Sequence, residues 1–339
     1  MPSCYMRNGK YETSGMWITD TIHKRRITKT IASSSMVVAI DPNSSFSKID
    51  LPLGATGPES VAMDPNGEGP YVAINDGRVL KYLGPDLGFV DFAYTSSNRT
   101  KELCDGEKDL SLAETCGRPL GFSFDTIRDF YILLMHFSVF LCAEGVPLKF
   151  PTGIDVDPLT GDVYVSDASL TFDLRNISQP NFVGDDTGRL IKYNSRTKEV
   201  KVLLKGLSVP IGPAVSLDRT FVLFSEYKTK RIKKYWLTGL KANTAEIILD
   251  LPGNPSKVKR ASTPGEFWVA VTVYNRLPTG QVITPHGFRI NSAGVTLQQK
   301  DFQGQYTNLP VSVVQEYNGR SLYIGSRGVT FVGIYSINY

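Results

Sequence analysis

Short apolar stretches recur along the chain, each ending in a small or acidic residue and many followed by a turn and a second stretch ending in an aromatic residue. Tyr71-Val72-Ala73-Ile74-Asn75-Asp76 leads into Gly77-Arg78-Val79-Leu80-Lys81-Tyr82, and Tyr164-Val165-Ser166-Asp167 precedes Gly188-Arg189-Leu190-Ile191-Lys192-Tyr193. Phe221-Val222-Leu223-Phe224-Ser225-Glu226 stands before Arg231-Ile232-Lys233-Lys234-Tyr235-Trp236, and Phe267 to Val271 and Leu322 to Ser326 continue the series. β-Branched and aromatic residues in runs this short predict strands. From Tyr164 onward the runs begin 57, 46 and 55 residues apart, and the 93 residues from Tyr71 to Tyr164 hold two units.

Six units of about fifty residues are the period of a propeller, whose four-stranded blades bury their faces only against neighbouring blades. The expected fold is therefore all-β: a six-bladed β-propeller with four-stranded blades. The second unit, around Phe122 to Leu141, is the weak one. Turn signals agree, as in Asp64-Pro65-Asn66-Gly67 and Asp157-Pro158-Leu159-Thr160-Gly161, where Asp is expected to form turns rather than to bind calcium.

Composition supports many short strands: the 339 residues include 30 glycines and 20 prolines, with 11% aromatics. A net charge of +4 without an interleaved basic and aromatic stripe gives no support for nucleic-acid binding. The longest apolar run, Phe130 to Cys142, is shorter than the ~20 residues of a membrane helix and is expected to be a buried strand pair. Met1 to Arg7 lacks signal-peptide character, which taken literally argues for the cytosol. Three N-glycosylation sequons at Asn43, Asn98 and Asn176 tilt towards a secretory route. Cys104 and Cys116 are spaced to close a small disulfide ring, whereas Cys4 and Cys142 have no evident partner.

Several phrases occur in one order along the chain: Gly57-Pro58-Glu59-Ser60, Gly88-Phe89-Val90-Asp91-Phe92-Ala93-Tyr94, Cys116-Gly117-Arg118-Pro119-Leu120-Gly121, Thr187-Gly188-Arg189-Leu190-Ile191-Lys192-Tyr193 and Lys234-Tyr235-Trp236-Leu237. Together they resemble the plant strictosidine-synthase-like family. The resemblance runs from about Ile49 to the C-terminus and divides the chain into an N-terminal segment, 1–48, and a propeller, 49–339. It implies six blades, a disulfide between Cys104 and Cys116, and delivery through the secretory pathway to the vacuole. Family members begin with a signal peptide, and between Asp125 and Ala143 this chain is shorter than they are. A misread exon and a truncated second blade both account for that.

The family's namesake reaction joins tryptamine to the aldehyde secologanin by a Pictet–Spengler condensation, which needs a carboxylate that moves protons in an apolar cavity. In the family this is a Glu two residues after a His, just before a Gln-Glu-X-X-Gly turn. Counting back from Gln315-Glu316-Tyr317-Asn318-Gly319 puts Ser312 at the Glu position and Pro310 at the His position. A serine hydroxyl is a poor base unless another group activates it. His23, His136 and His286 stand in no triad motif, and His286 is expected in a loop. The namesake activity is therefore expected to be absent.

Phe150, Thr152, Val209 and Tyr227 fall on the family's pocket positions, with Thr152 replacing a Tyr. A small apolar, indole- or terpenoid-like ligand and a plain filled axis both fit them. Related propeller hydrolases of the paraoxonase and lactonase type hold a divalent ion in the channel. Here Glu59 alone matches a ligand, the later positions reading Thr152, Ile211 and Ser256, which is too few oxygens for a hard cation. Glu59 is expected to support the loop entering the first blade through backbone hydrogen bonds. The expectation is a monomer without a cofactor. It is either an enzyme of specialised, alkaloid-type metabolism with altered chemistry, or a non-catalytic small-molecule- or protein-binding propeller, or, last, an ester or lactone hydrolase.

Overall fold

The computed structural model describes residues 46–125, 142–177, 183–278 and 280–337, together with the strands Met6–Arg7, Lys10–Tyr11 and Phe130–Met135. Among them are five four-stranded antiparallel sheets, each running from an inner to an outer strand. The first blade consists of Ser60–Ala62, Tyr71–Ala73, Arg78–Tyr82 and Phe89–Tyr94. The second is Pro151–Val156, Val163–Asp167, Gly188–Tyr193 and Val200–Leu207. The third is Pro210–Val215, Phe221–Glu226, Arg231–Trp236 and Ala245–Asp250. The fourth is Asn254–Arg260, Glu266–Leu277, Gly280–Asn291 and Thr296–Asp301.

The fifth blade takes three strands from the C-terminal end, Val313–Tyr317, Ser321–Gly325 and Phe331–Ser336, and its outer strand, Phe46–Asp50, from the N-terminal side. Phe331 faces Asp50 and Tyr335 faces Phe46 in this pairing, which closes the ring and crosses the expected boundary at residue 48.

Six blades were expected, the second of them weak or truncated; the described residues form five four-stranded blades. Between the first and second blades stands a two-stranded sheet, Pro119–Asp125 paired with Phe130–Met135. Its strand Pro119–Asp125 lies against the inner strands of both neighbours, and Phe122 joins Tyr71, Ala73 and Val79 in one apolar cluster. Thus the apolar run expected as a strand pair supplies one strand of this sheet, and Cys142–Ala143 belongs to a separate short hairpin with Val146–Pro147.

Apolar side chains pack mainly between consecutive blades. Phe221 and Leu223 of the third blade meet Phe267 and Val269 of the fourth, while Leu80 of the first meets Val313 and Val332 of the fifth. The acidic residue that ends many of the sequence runs has a structural reason. Asp76, Asp167 and Glu226 end the second-strand segment of their blades, where their carboxylates accept backbone N–H groups of loops: Gly106, Phe150 and Ser208, at 2.9, 2.7 and 2.9 Å. Each is held by a base from the next strand: Arg78, Arg189 or Lys233. These ion pairs fix the loops that carry Phe150 and Val209.

Turn-forming Asp residues behave as expected. Asp64 Oδ1 accepts the N–H groups of Asn66 and Glu68, and Asp157 Oδ1 that of Leu159. His286, expected in a loop, lies instead within the strand Gly280–Asn291 opposite Val271, with Gln299 beside its ring. His23 and His136 lie outside the described residues.

Candidate functional site in the central channel

Inner strands of the second, third and fourth blades approach so closely that a Cβ on Gly153 would lie 2.4 Å from Gly212 Cα, and one on Gly212 2.5 Å from Lys257 Cα. Gly212 also has φ +51°, which other residues rarely adopt. This contact and a register shift between Pro255 and Val258 set Lys257, which is 2% exposed, in the channel.

There its Nζ donates to Glu59 Oε1 at 2.6 Å and to the Glu59 carbonyl at 3.0 Å. The other carboxylate oxygen, Oε2, accepts Arg327 Nε at 2.6 Å and the Ser312 hydroxyl at 3.0 Å. Four residues from three blades therefore converge. Glu59 precedes the inner strand of the first, Lys257 lies on that of the fourth, and Ser312 and Arg327 flank the inner strands of the fifth.

Burial alone would push the Glu59 carboxyl up. The Arg327 and Lys257 charges, with their hydrogen bonds, more than offset it and hold the group down at about 2. Burial lowers the Lys257 ammonium, with Glu59 opposing. Glu59 is thus a fixed anion at any ordinary pH and a weak base. Its expected role through backbone hydrogen bonds is only part of the picture: its N–H does donate to the Ala73 carbonyl at 2.9 Å, but the side chain is the hub of the channel.

Phe150 and Val209 are buried and pack with Leu120, Ala168 and Leu174, and with the partly buried Leu110 and Tyr227. Three sequence-selected positions therefore share one apolar cluster. Val209 has φ +56°, a strained setting for a β-branched residue, held by this packing. Thr152 does not join the cluster. Its hydroxyl donates to the Pro210 carbonyl at 2.8 Å and lies 3.1 Å from Ser166 Oγ, tying the second blade to the third.

A cavity of about 170 Å³ opens beside both groups, with Glu59, Arg327, Leu120 and Leu174 among its walls. Lys108 and Leu110 close it from the loop whose ends are joined by the Cys104–Cys116 disulfide, and Arg118 from just beyond that loop. Cys142, without an evident partner in sequence, is disulfide-bonded as well. Of the sequons, Asn98 is exposed, Asn176 lies in the short helix Leu174–Ile177 and accepts the Asp173 N–H, and Asn43 is outside the described residues.

The positions considered for a divalent ion do not assemble donors. The Ile211 and Ser256 carbonyls both accept the Ser225 hydroxyl, Thr152 is engaged as above, and Lys257 puts an ammonium on Glu59. Among the described residues no three His, Cys, Asp or Glu side chains cluster as metal ligands. No described helix is long and apolar enough to cross a membrane.

Lys257 and Arg327 were missed in the sequence. The one local signal for Lys257 is a charge inside an inner-strand segment; Arg327 follows a strand in a turn and carries none.

Fold and site together define a β-propeller whose channel holds a buried ionic cluster next to a cavity with both charged and apolar walls. A family model for strictosidine synthase matches residues 152–240, and one for the N-terminal part of strictosidine synthase-like proteins matches residues 44–82. The chain is 38% identical over 318 residues to protein STRICTOSIDINE SYNTHASE-LIKE 11 of Arabidopsis thaliana, covering 90% of this chain and 95% of that protein. It is 35% identical over 305 residues to strictosidine synthase of Catharanthus roseus, covering 85% of each. The chain belongs to the strictosidine synthase-like family.

Among solved structures, a putative gluconolactonase aligns with a TM-score of 0.54 at 14% identity, over 85% of this chain and 94% of that one. A calcium-binding protein, regucalcin of Agrobacterium tumefaciens, aligns with a TM-score of 0.54 at 11% identity, over 86% and 93%. At such identities they share the propeller fold alone.

Proposed function

We propose that this protein is a strictosidine-synthase-like protein of plant specialised metabolism that takes a small, partly apolar molecule into the cavity beneath the disulfide loop, and that the Pictet–Spengler condensation is not its reaction. The observation that carries this reading is that the carboxylate bonded to Ser312 is clamped by two cations. A proton shuttle needs a group that gains and loses a proton near the working pH. Glu59 sits at the right place, yet two cations bind it and hold it at about 2, and the Ser312 hydroxyl is spent on it. Pro310, at the family's His position, adds no titratable group.

The test is to incubate purified protein with tryptamine and secologanin and to follow strictosidine. No product above the uncatalysed rate is expected, and clear turnover overturns the reading. The disulfides favour an oxidising compartment. With exposed Asn98 open to glycosylation, they support passage through the secretory pathway, with the vacuole as the proposed destination.

An ester or lactone hydrolase of the kind named among the structural neighbours is less well supported, because the Lys257 ammonium occupies the face of Glu59 that a channel cation would need. Calcium is then expected to leave the melting temperature unchanged, whereas a bound ion would raise it by mass action.

A further inference from the structure

The cavity beneath the disulfide loop is walled by three basic side chains, Arg118, Arg327 and Lys108, and by one carboxylate, that of Glu59. That carboxylate is already committed to other groups: Oε1 accepts from Lys257, and Oε2 from Arg327 and Ser312. Arg327 uses its Nε on Glu59, and its two terminal nitrogens have no hydrogen-bond partner among the described residues.

Arg118 is 4% exposed, and its terminal nitrogens reach only the carbonyls of Glu107 and Asp109, at 3.1 and 3.2 Å. Its Nε is buried without a partner, and no carboxylate forms an ion pair with it among the described residues. The charges of Asp76, Glu107 and Asp109 act on Arg118 from a distance, but their hydrogen bonds go elsewhere. Asp76 is bound by Arg78 and the Gly106 N–H, Glu107 accepts the N–H groups of Lys108 and Asp109, and Asp109 accepts that of Ser111.

A buried guanidinium whose carboxylate neighbours act only at a distance is costly, and stapling a loop through two carbonyls does not require a charge. A carboxylate entering the cavity would supply a direct ion pair and accept paired N–H donors, the geometry that guanidinium favours. Leu110, Leu120 and Leu174 would cover an apolar body attached to it.

We infer that the cavity selects a small carboxylate-bearing ligand with an aromatic or aliphatic body, seated on Arg118 and Arg327. The polarity is the reverse of an arylethylammonium substrate. This inference rests on the cavity being the ligand site. It restricts the natural ligand to acids and sets the cationic amines of the namesake reaction among the excluded molecules.

Calorimetric titration of the full chain with three probes of matched shape, 3-phenylpropionate, 3-phenylpropionamide and phenethylammonium, tests it. The carboxylate is expected to bind at least about tenfold more tightly than the amide, with phenethylammonium weakest. Arg118→Gln and Arg327→Gln should each remove most of that preference. The comparison on the unaltered protein stands even if a variant fails to fold. Equal binding of acid and amide, or tightest binding of the amine, overturns the charge inference while sustaining the cavity as a site. If none of the three binds, the cavity reading itself falls and this inference with it.

Discussion

Ser312 donates its hydroxyl to Glu59 Oε2 across 3.0 Å, although 253 residues separate the two in the chain. A carboxylate from another blade thus reaches this alcohol in the channel. That carboxylate is ill suited to carry protons, because its charge is engaged by Lys257 and Arg327. The cluster is a structural lock that joins the first, fourth and fifth blades where the ring closes.

Neutralising the lock should be expensive. Glu59→Gln leaves the Lys257 ammonium buried without a counter-charge, and a loss of about 3 to 5 kcal/mol in urea unfolding is expected. The folded carboxyl is held at about 2, below its ordinary 4.5, so its contribution is full above about 4.5 and is lost as pH falls through 2. The gap between wild type and variant should therefore close across that window. A gap that persists unchanged at pH 2 contradicts the ion-pair account.

Ser312→Glu tests whether the channel accepts a second acid. The new carboxylate would meet Glu59 Oε2 directly, and like charges sharing a site force one of them to hold its proton. About 2 kcal/mol of destabilisation at pH 7, easing as the pH is lowered towards 5, is expected in thermal melts, without strictosidine synthesis. A variant as stable as wild type at pH 7 would show that the channel has room for a second anion.

Lys259, two residues from Lys257 on the same strand, lines a second cavity of about 260 Å³ that Phe122, Asp155 and Glu316 share. Burial pulls its ammonium down to about 8, despite Asp155. Because the folded value lies below the unfolded one, the unfolded chain holds a proton that the folded chain lacks between about 8 and 10.5. Stability should rise with pH in that window. Lys259→Met should be about 2 kcal/mol more stable at pH 7 and should lack that rise. Urea titrations at pH 7, 8 and 9.5 check both, and parallel profiles for the two proteins rule the explanation out.

The Cys104–Cys116 bridge closes a loop over a sequence separation of 12 and carries Lys108 and Leu110 over the cavity. Replacing both cysteines by serine is expected to cost about 3 kcal/mol, mainly by freeing the unfolded chain. Binding of cavity ligands should weaken more than the inner strands loosen, which hydrogen exchange can separate. Full ligand affinity in the double variant would show that the loop is not a wall of the site.

Much of the fold was legible because its signal is local. Phe221 to Glu226 and Arg231 to Trp236 read as strands from their own residues, and both are. Even the acid at the end of a run, as at Asp167, has a nearby purpose, the N–H groups of Lys149 and Phe150. The short sheet between the first and second blades was half legible: Phe130–Met135 is apolar enough to be a strand, but nothing local tells how many partners it has.

For the site, Phe150, Val209 and Tyr227 were found by family position and do share a cluster, whereas Thr152 ties two blades together instead. The ionic lock was not legible. Lys257 and Arg327 lie 198 and 268 residues from Glu59, and only closure of the ring brings them together. A charge in an inner strand marks a buried cation but does not say which carboxylate will meet it.

The central claim is that Glu59 is a permanently ionised partner of Lys257 and Arg327 rather than a proton carrier. A carbon-detected NMR titration of glutamate side chains, with the Glu59 signal assigned by its loss in Glu59→Gln, measures this directly. The account expects that signal to show an ionised carboxylate from pH 8 down to below 4, with its midpoint at about 2. A midpoint at 5 or above would make Glu59 a competent acid and would return the condensation to consideration.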